Sequence, residues 1–158
     1  MFREELAALF HRDLKKVSLQ IKAFAEGGQP LDEAQLWETA PGVTNSAGNL
    51  ILHLEGNLRE YVGRQLGGIT YVRDRPREFS NRSTTAEDLL QRMEGVTEMV
   101  PAVIKSLELG QLAATFPENV LGAAMSTQYF LIHLHGHLNY HLGQIDYLRR
   151  ILSKGRAL

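Results

Sequence analysis

Cysteine is absent from the 158-residue sequence, which excludes a disulfide-stapled scaffold, a thiolate zinc site and a cysteine nucleophile. A marked excess of one charge is also lacking, because 17 Lys and Arg residues stand against 18 Asp and Glu residues. Proteins that bind nucleic acid usually carry a basic surface, so we expect no nucleic-acid partner. No apolar run approaches the roughly 18 residues that span a bilayer, and the first residues do not follow the pattern of a secretory signal. We therefore expect a cytoplasmic protein with no membrane partner.

The composition, 44% hydrophobic and 22% charged, is that of an ordinary globular domain, and we expect residues 1–158 to form one. Helical spacing of apolar residues recurs in four segments, and no segment has the pattern of a convincing strand. This spacing predicts long helices over 2–25, 46–67, 84–109 and 126–152, the third beginning at a capping box, Thr84-x-x-Glu87. The predicted fold class is all-α, an antiparallel four-helix bundle with crossover connections.

The histidines are concentrated in the last predicted helix, where four of the six fall between His133 and His141. Residues at i and i+4 lie above one another on a helix, so His133, His137 and His141 share one stripe, whereas His135 points to another face. Each imidazole inside a bundle needs a polar partner, because an unsatisfied buried group costs about 1–3 kcal/mol. One metal ion satisfies several imidazoles at once, and the stripe therefore indicates a metal site.

Helix geometry limits which of these histidines can share an ion. His133 and His141 are separated by about 12 Å along the helix axis, whereas metal–nitrogen bonds are about 2.1 Å long. Both cannot bind the same ion on a regular helix. The spacing leaves two pairs open, His133 with His137 or His137 with His141.

The second predicted helix offers a third ligand. Asn49, His53 and Asn57 recur at i, i+4 and i+8 and form a polar stripe beside Leu50 and Leu54 on an otherwise apolar flank. A stripe of this kind is also typical of a solvated helix face. If it borders the interior, His53 completes a three-histidine site.

The residues of the last helix also carry a resemblance. His137, His141, Gly143, Gln144 and Ile145 form the motif HxxxHLGQI, and together with a histidine in the second helix this resembles the DinB-like (YfiT-like) metal-binding four-helix proteins. The segments NSAGNLILHLEGNLREYV and RDRPREF are similar to one uncharacterised branch of that group. The resemblance implies a divalent metal ion, and often a homodimer.

Carried over by position, the resemblance assigns the metal ligands as His53, His137 and His141 and leaves His133 outside the ligand set. All-nitrogen ligation suits zinc or nickel, and also iron or copper. The polar residues nearest these histidines are expected to support the ligands or line a pocket rather than act as acids or bases. These residues are Asn49, Asn57, Tyr140 and Gln144.

The expected function is that of a metal-dependent enzyme acting on a small molecule. Several members of the group are thiol-dependent transferases, so the resemblance implies an S-transferase that uses a low-molecular-weight thiol. The alternatives are a hydrolase that uses metal-bound water and a non-enzymatic, stress-related metal-binding protein. The sequence contains no HExxH motif, and Glu60 is the remaining candidate for a base.

A charged run follows the second predicted helix and includes Arg73, Arg75, Arg77, Arg82 and Glu78. Such a run can bind an anionic substrate. Its mixture of signs is more typical of a solvated face with local ion pairs, and that is the expectation for this segment.

Overall fold

The computed structural model describes residues 1–26 and 32–153, and every regular element within these ranges is helical. The four long helices are α1 (Phe2–Glu26), α2 (Ala47–Leu58), α4 (Ala86–Ser106) and α6 (Thr127–Leu152), and they confirm the predicted all-α bundle. Two short helices, α3 (Arg75–Ser80) and α5 (Leu109–Ala113), and a 3-10 turn (Glu33–Trp37) lie in the connections. None of the described helices has both the length and the apolar character that crossing a membrane requires.

Helix α1 packs between α4 and α6, and the contacts along it give the direction of each neighbour. The Arg3 side chain at the start of α1 donates to the carbonyl oxygen of Leu107 just after α4, so these two helices are antiparallel. Near the end of α1, Gln20 accepts a hydrogen bond from Arg149 near the end of α6. Helices α1 and α6 therefore run in the same direction.

Helix α2 occupies the opposite corner of the bundle and also packs between α4 and α6. His53 faces His137 while Tyr61 contacts Phe130, so α2 and α6 are antiparallel. Helices α2 and α4 run in the same direction, which obliges the chain to return along the bundle between them. This return, over residues 65–85, is a crossover connection as predicted, and it contains α3.

Helix α2 does not end at Leu58 but continues as a π-helical segment, Arg59–Arg64. A π-helical turn inserts an extra residue and is frequent at functional sites. In this segment Gly63 lies against α4, because a Cβ there would be 2.7 Å from the sulfur of Met99. The widened turn therefore packs on α4 directly beyond the polar stripe of α2.

The start of α4 differs by one position from the capping box predicted at Thr84. The observed N-cap is Thr85, whose side-chain oxygen accepts the backbone N–H of Asp88. Thr84 instead donates its hydroxyl hydrogen to the side-chain oxygen of Asn81, the residue that caps the end of α3. Either threonine could cap the helix, because both side chains carry a hydroxyl group. The hydroxyl of Thr84 is hydrogen-bonded to Asn81, so Thr85 is the residue that caps α4.

A buried carboxylate joins α1 to α6. Asp13 is fully buried, and its Oδ2 atom lies 3.0 Å from His135 Nε2 and 3.1 Å from Asn139 Nδ2. Arg12 and Lys16 also donate to this carboxylate. Burial alone would raise the pKa of Asp13, but the four donors outweigh it and hold this pKa well below its ordinary value.

Replacing this carboxylate should destabilise the bundle in a pH-dependent way. Charge-assisted hydrogen bonds contribute about 1.5–3 kcal/mol each, so we expect Asp13→Asn to lower the free energy of unfolding by about 2 kcal/mol at pH 7. Because the folded-state pKa is depressed, the contribution is present above the unfolded pKa of about 3.9 and is lost as the pH falls below it.

Urea denaturation of both proteins between pH 7 and pH 3 measures this difference. The exposed Glu94→Gln variant serves as the control, because it also removes one carboxylate from a helix. If the free energies of unfolding of Asp13→Asn and the parent differ by as much at pH 3 as at pH 7, Asp13 does not stabilise the bundle as a buried anion.

Candidate metal centre

Three histidine side chains, one from α2 and two from α6, meet where these two helices pack against each other. His137 Nε2 lies 3.3 Å from His53 Nε2 and 3.0 Å from His141 Nε2, and ligand atoms of all three lie within 4.8 Å of one another. Nitrogens bound at about 2.1 Å to a tetrahedral ion are about 3.4 Å apart. The three imidazoles therefore have the spacing of a metal-binding cluster.

The tautomers of these histidines show that the cluster suits a cation. His53 donates its Nδ1 proton to a carboxylate oxygen of Glu78 at 2.9 Å, and His141 donates its Nδ1 proton to Gln144 Oε1 at 2.7 Å. Both Nε2 atoms are then lone-pair acceptors. His137 Nε2 carries one proton at most, so the three nitrogens cannot all be satisfied by each other. A metal ion accepts all three lone pairs, and the residues present therefore fit it.

Burial keeps two of these imidazoles in the neutral form that binds metals. It lowers the pKa of His137 to about 3, an effect that the neighbouring histidines reinforce. Burial also lowers the pKa of His141, although the hydrogen bond with Gln144 opposes the shift. Neither histidine needs to lose a proton at neutral pH before it binds an ion.

The acceptor of the His53 proton, Glu78, was missed by the sequence analysis as a functional residue. It lies on α3 in the crossover connection and is buried. Arg73 donates to both carboxylate oxygens, at 2.7 and 3.0 Å. Burial alone would raise the pKa of Glu78, but hydrogen bonds from His53 and Arg73 outweigh it and hold this pKa below its ordinary value. Glu78 is therefore an anion that fixes the His53 ring.

The expectation of a solvated face is wrong for Arg73 and Glu78, because both turn inward from the charged run. The short helix α3 begins at Asp74, whose side chain caps it, and Pro76 favours its first turn. These start signals in RDRPREF are the sequence evidence that could have revealed a helical turn carrying Glu78 inward.

A glycine on α2 makes room for this carboxylate. A Cβ at Gly56 would lie 2.1 Å from Glu78 Oε1, a distance that no side chain can occupy. Gly56 is one turn beyond His53 on the same face of the helix. The absence of a side chain at that position therefore lets Glu78 reach the imidazole.

The polar residues predicted around the ligands take different positions. Gln144 accepts the proton of His141, and Asn57 is buried beside the cluster with no partner for its Oδ1 among the described residues. Asn49 does not face the cluster but donates to the backbone oxygens of Glu78 and Asn81, and so holds the crossover against α2. Tyr140 is 65% exposed, and its ring packs edge-on against His141.

The remaining candidates lie outside the cluster. His133 is exposed on α6 and stacks on Phe130, while His135 belongs to the Asp13 network. Glu60, the candidate base, accepts hydrogen bonds from Arg64 and Gln65. Its pKa is lowered chiefly by Arg64, so it is an ion-paired carboxylate rather than a base poised near neutrality.

A cleft of about 220 Å³ opens beside the cluster. Its wall contains His53 and His137, and its mouth contains Arg75, whose guanidinium lies over the Phe79 ring at 5.3 Å. The remaining lining comes from Asn57, Tyr61, Arg73, Val120, Phe130, His133 and Leu134. One side of the histidine cluster is therefore accessible to a small molecule.

The fold and this cluster define a class, helical bundles with a three-histidine site that could bind a metal ion. The sequence profile described as the DinB superfamily matches residues 22–145, and the chain belongs to that superfamily. A search of curated proteins found no match. The family assignment confirms the resemblance seen in the sequence and does not identify a reaction.

Neutralising Glu78 should weaken metal binding without removing a ligand. Glu78→Gln keeps the shape of the side chain but removes the charge that holds the His53 proton and balances Arg73. Loss of such a supporting group typically costs 10–100-fold in metal affinity. We expect a loss of about this size for zinc, measured by competition with a chromophoric chelator.

The control is Glu60→Gln, which neutralises another ion-paired glutamate, on the π-helical segment that continues α2. Its zinc affinity should remain that of the parent. Equal affinities for Glu78→Gln and the parent would contradict the role given to Glu78.

Proposed function

We propose that this protein binds one divalent metal ion through His53, His137 and His141 and is an enzyme acting on a small molecule. The observation that carries the proposal is the convergence of three Nε2 lone pairs, two of them fixed by acceptors on Nδ1. Zinc or nickel is the favoured ion, and the nitrogen donors also suit iron or copper.

The reaction we favour is transfer of a whole low-molecular-weight thiol, through its sulfur, to a small electrophile: the sulfur–carbon bond to the electrophile forms, the leaving group of the electrophile departs, and the thiol proton is released. A divalent ion with three neutral ligands keeps its full charge and an open position, and supplies the chemistry of stabilising a coordinated thiolate or of lowering the pKa of a water. The chain has no cysteine, so any sulfur in the reaction comes from the substrate.

The acids near the cluster favour a thiol over a hydrolytic reaction. Glu78 is engaged by His53 and Arg73, and Glu60 by Arg64, so neither is free to take a proton from water. A thiol has an ordinary pKa of about 8.5 and ionises more readily than water. Hydrolysis is therefore the second candidate, and metal binding without catalysis is the third.

The cleft also supports an anionic substrate. Arg73 is neutralised by Glu78, whereas Arg75 at the mouth forms no ion pair within the described ranges. A carboxylate on the substrate could reach this guanidinium while its reacting atom faces the histidines. Arg75 thus orients the substrate, and its contact with Phe79 holds the guanidinium near the opening.

The ligand set is tested by measuring bound metal. We expect His141→Ala to lose the ion while His133→Ala retains about one ion per chain. Elemental analysis of protein purified without a histidine tag gives both values. Loss of the ion should also lower the melting temperature, because binding to the folded state alone stabilises it. Unchanged metal content in His141→Ala would show that another pair of histidines binds the ion.

The reaction class is tested by comparing two assays on the zinc-loaded protein. We expect consumption of a thiol such as cysteine or glutathione in the presence of 1-chloro-2,4-dinitrobenzene, and loss of this turnover in His141→Ala. Hydrolysis of p-nitrophenyl acetate should stay near the rate of the His141→Ala protein. Metal-dependent ester hydrolysis with no thiol turnover would favour the hydrolase instead.

A further inference from the structure

The three imidazoles of the cluster differ in the support that their Nδ1 atoms receive. His53 donates its Nδ1 proton to Glu78, and this fixes its ring. His141 donates its Nδ1 proton to Gln144. His137 Nδ1 is buried and has no hydrogen-bond partner among the described residues. A histidine that binds a metal ion almost always uses its other ring nitrogen as a donor, so His137 needs a partner of this kind.

An asparagine on the facing helix has the complementary shortage. Asn57 is 7% exposed, and its buried Oδ1 atom also lacks a hydrogen-bond partner within the ranges that the structure describes. Asn57 on α2 and His137 on α6 line the same cleft. Both unpartnered atoms are shielded from bulk solvent, which makes each side chain a suitable partner for the other.

The register of the two helices brings these side chains to the same level. His53 lies opposite His137. Two turns further along the same chain, Tyr61 lies opposite Phe130. Asn57 is midway between His53 and Tyr61, so it is level with the turn of α6 that precedes His137. Side chains lean towards the N-terminus of their helix. Because α2 and α6 are antiparallel, Asn57 and His137 lean towards each other.

The hydrogen bonds of the cluster also determine which tautomer His137 adopts without a metal ion. The Nε2 atoms of His53 and His141 are acceptors, since the protons of these rings are on Nδ1. His137 Nε2 lies 3.3 Å from the first and 3.0 Å from the second, so it carries the proton that they accept. Burial keeps the ring neutral. The Nδ1 atom of His137 is then a lone pair and accepts a hydrogen bond.

Metal binding reverses this requirement. His137 can give its Nε2 lone pair to an ion only when the single proton of its neutral ring is on Nδ1. The ring loses the proton at Nε2 and takes one at Nδ1, so its charge does not change. Its Nδ1 atom therefore accepts a hydrogen bond in one state and donates in the other. An ionised carboxylate only accepts, whereas a primary amide offers both a donor nitrogen and an acceptor oxygen.

We propose that Asn57 is the hydrogen-bond partner of His137 Nδ1 in both states, and that its amide turns over when the ion binds. Without the ion, Asn57 Nδ2 donates to Nδ1, and with the ion, Asn57 Oδ1 accepts the Nδ1 proton. The two side chains are not hydrogen-bonded to each other in the structure. A rotation about the terminal torsion of Asn57, which is broad and roughly two-fold, joins them.

This inference rests on the proposed function, because it takes His137 as a metal ligand. It also separates the three ligands by their readiness. His53 and His141 already present Nε2 lone pairs, whereas His137 must exchange its tautomer before it binds. Asn57 acts through His137 and is therefore a positioning residue, and an amide rather than a carboxylate suits its place in the cleft.

Zinc affinity distinguishes a hydrogen-bonding role from a packing role. Asn57→Leu keeps the approximate size of the side chain but removes both amide groups, so we expect zinc binding to weaken by about 10–100-fold. Asn57→Asp keeps the acceptor and places a negative charge near the cation, so it should bind zinc at least as tightly as the parent. Asn119→Leu makes the first change at an exposed position and should match the parent. Competition with a chromophoric chelator gives all four affinities.

Nuclear magnetic resonance tests the tautomer exchange without any assay of activity. Long-range proton–nitrogen correlation of the ¹⁵N-labelled protein separates protonated from unprotonated ring nitrogens by their ¹⁵N shifts. We expect His137 Nδ1 to be unprotonated without zinc and protonated with zinc, and the Nδ1 atoms of His53 and His141 to be protonated in both. The side-chain NH₂ signals of Asn57 should shift between the two states. In zinc-loaded Asn57→Leu, the Nδ1 proton of His137 should exchange with water faster than in the parent.

The outcomes against the proposal are specific. Equal zinc affinities for Asn57→Leu and the parent, or a His137 Nδ1 atom that is already protonated without zinc, would overturn it. Equal losses in Asn57→Leu and Asn57→Asp would show that position 57 acts by packing, and would also overturn it. If circular dichroism shows that Asn57→Leu does not fold, Asn57→Asp and the spectra of the parent decide the question. A parent that binds no zinc would contradict the proposed function itself, and this measurement is separate from the comparison of variants.

Discussion

Nitrogen lone pairs that point at one another repel unless a proton or a metal ion lies between them. The site is organised around three such lone pairs, on the Nε2 atoms of His53, His137 and His141. Glu78 fixes the proton of His53 on the far side of its ring, and Gln144 does the same for His141. The position of Glu78 depends in turn on Gly56, which leaves space for it, and on Asn49, which holds its backbone. The long crossover between the two parallel helices carries α3, and so brings this carboxylate to His53.

The buried pair of Arg73 and Glu78 is difficult to explain by stability alone. Apolar residues of similar volume often replace a buried ion pair without loss, because desolvation of the two charges offsets their attraction. Here the pair is tied to His53, and Arg73 also lies 5.7 Å from the centre of the Tyr61 ring. The pair places the Glu78 carboxylate beside the His53 imidazole, and the positive charge of Arg73 balances that carboxylate, so the pair adds no net charge to the site. These contacts favour a role for the pair in orienting the His53 ring over a role in stabilising the fold.

The sequence predicted those features that depend on a single helix. Helical periodicity gave the four long helices, and the i, i+4 spacing gave the histidine stripe, because both are properties of local geometry. Gln144 was expected near His141 for the same reason, since it is three residues away. The start signals of α3 indicate a helical turn at Glu78, but they do not identify His53 as its partner. The contacts of Glu78 and Asn49 could not be predicted from spacing, because their partners are 25 to 32 residues distant and are brought together by the crossover. Spacing alone also could not choose between His133 and His141.

Helix α6 serves different neighbours on its different sides, and this explains how one helix can be held in the bundle and also carry two histidines of the cluster. Its side towards α1 is held by Asp13 and Arg149, which fixes its position in the bundle. The histidines of the cluster lie on the side of α6 that faces His53 of α2. His133 lies one turn before His137, between Phe130 and His137, and lines the cleft instead of joining the cluster. The same i, i+4 spacing thus places one histidine pair in the cluster and leaves the third histidine at its opening, because the position of His53 on α2 decides which pair it meets.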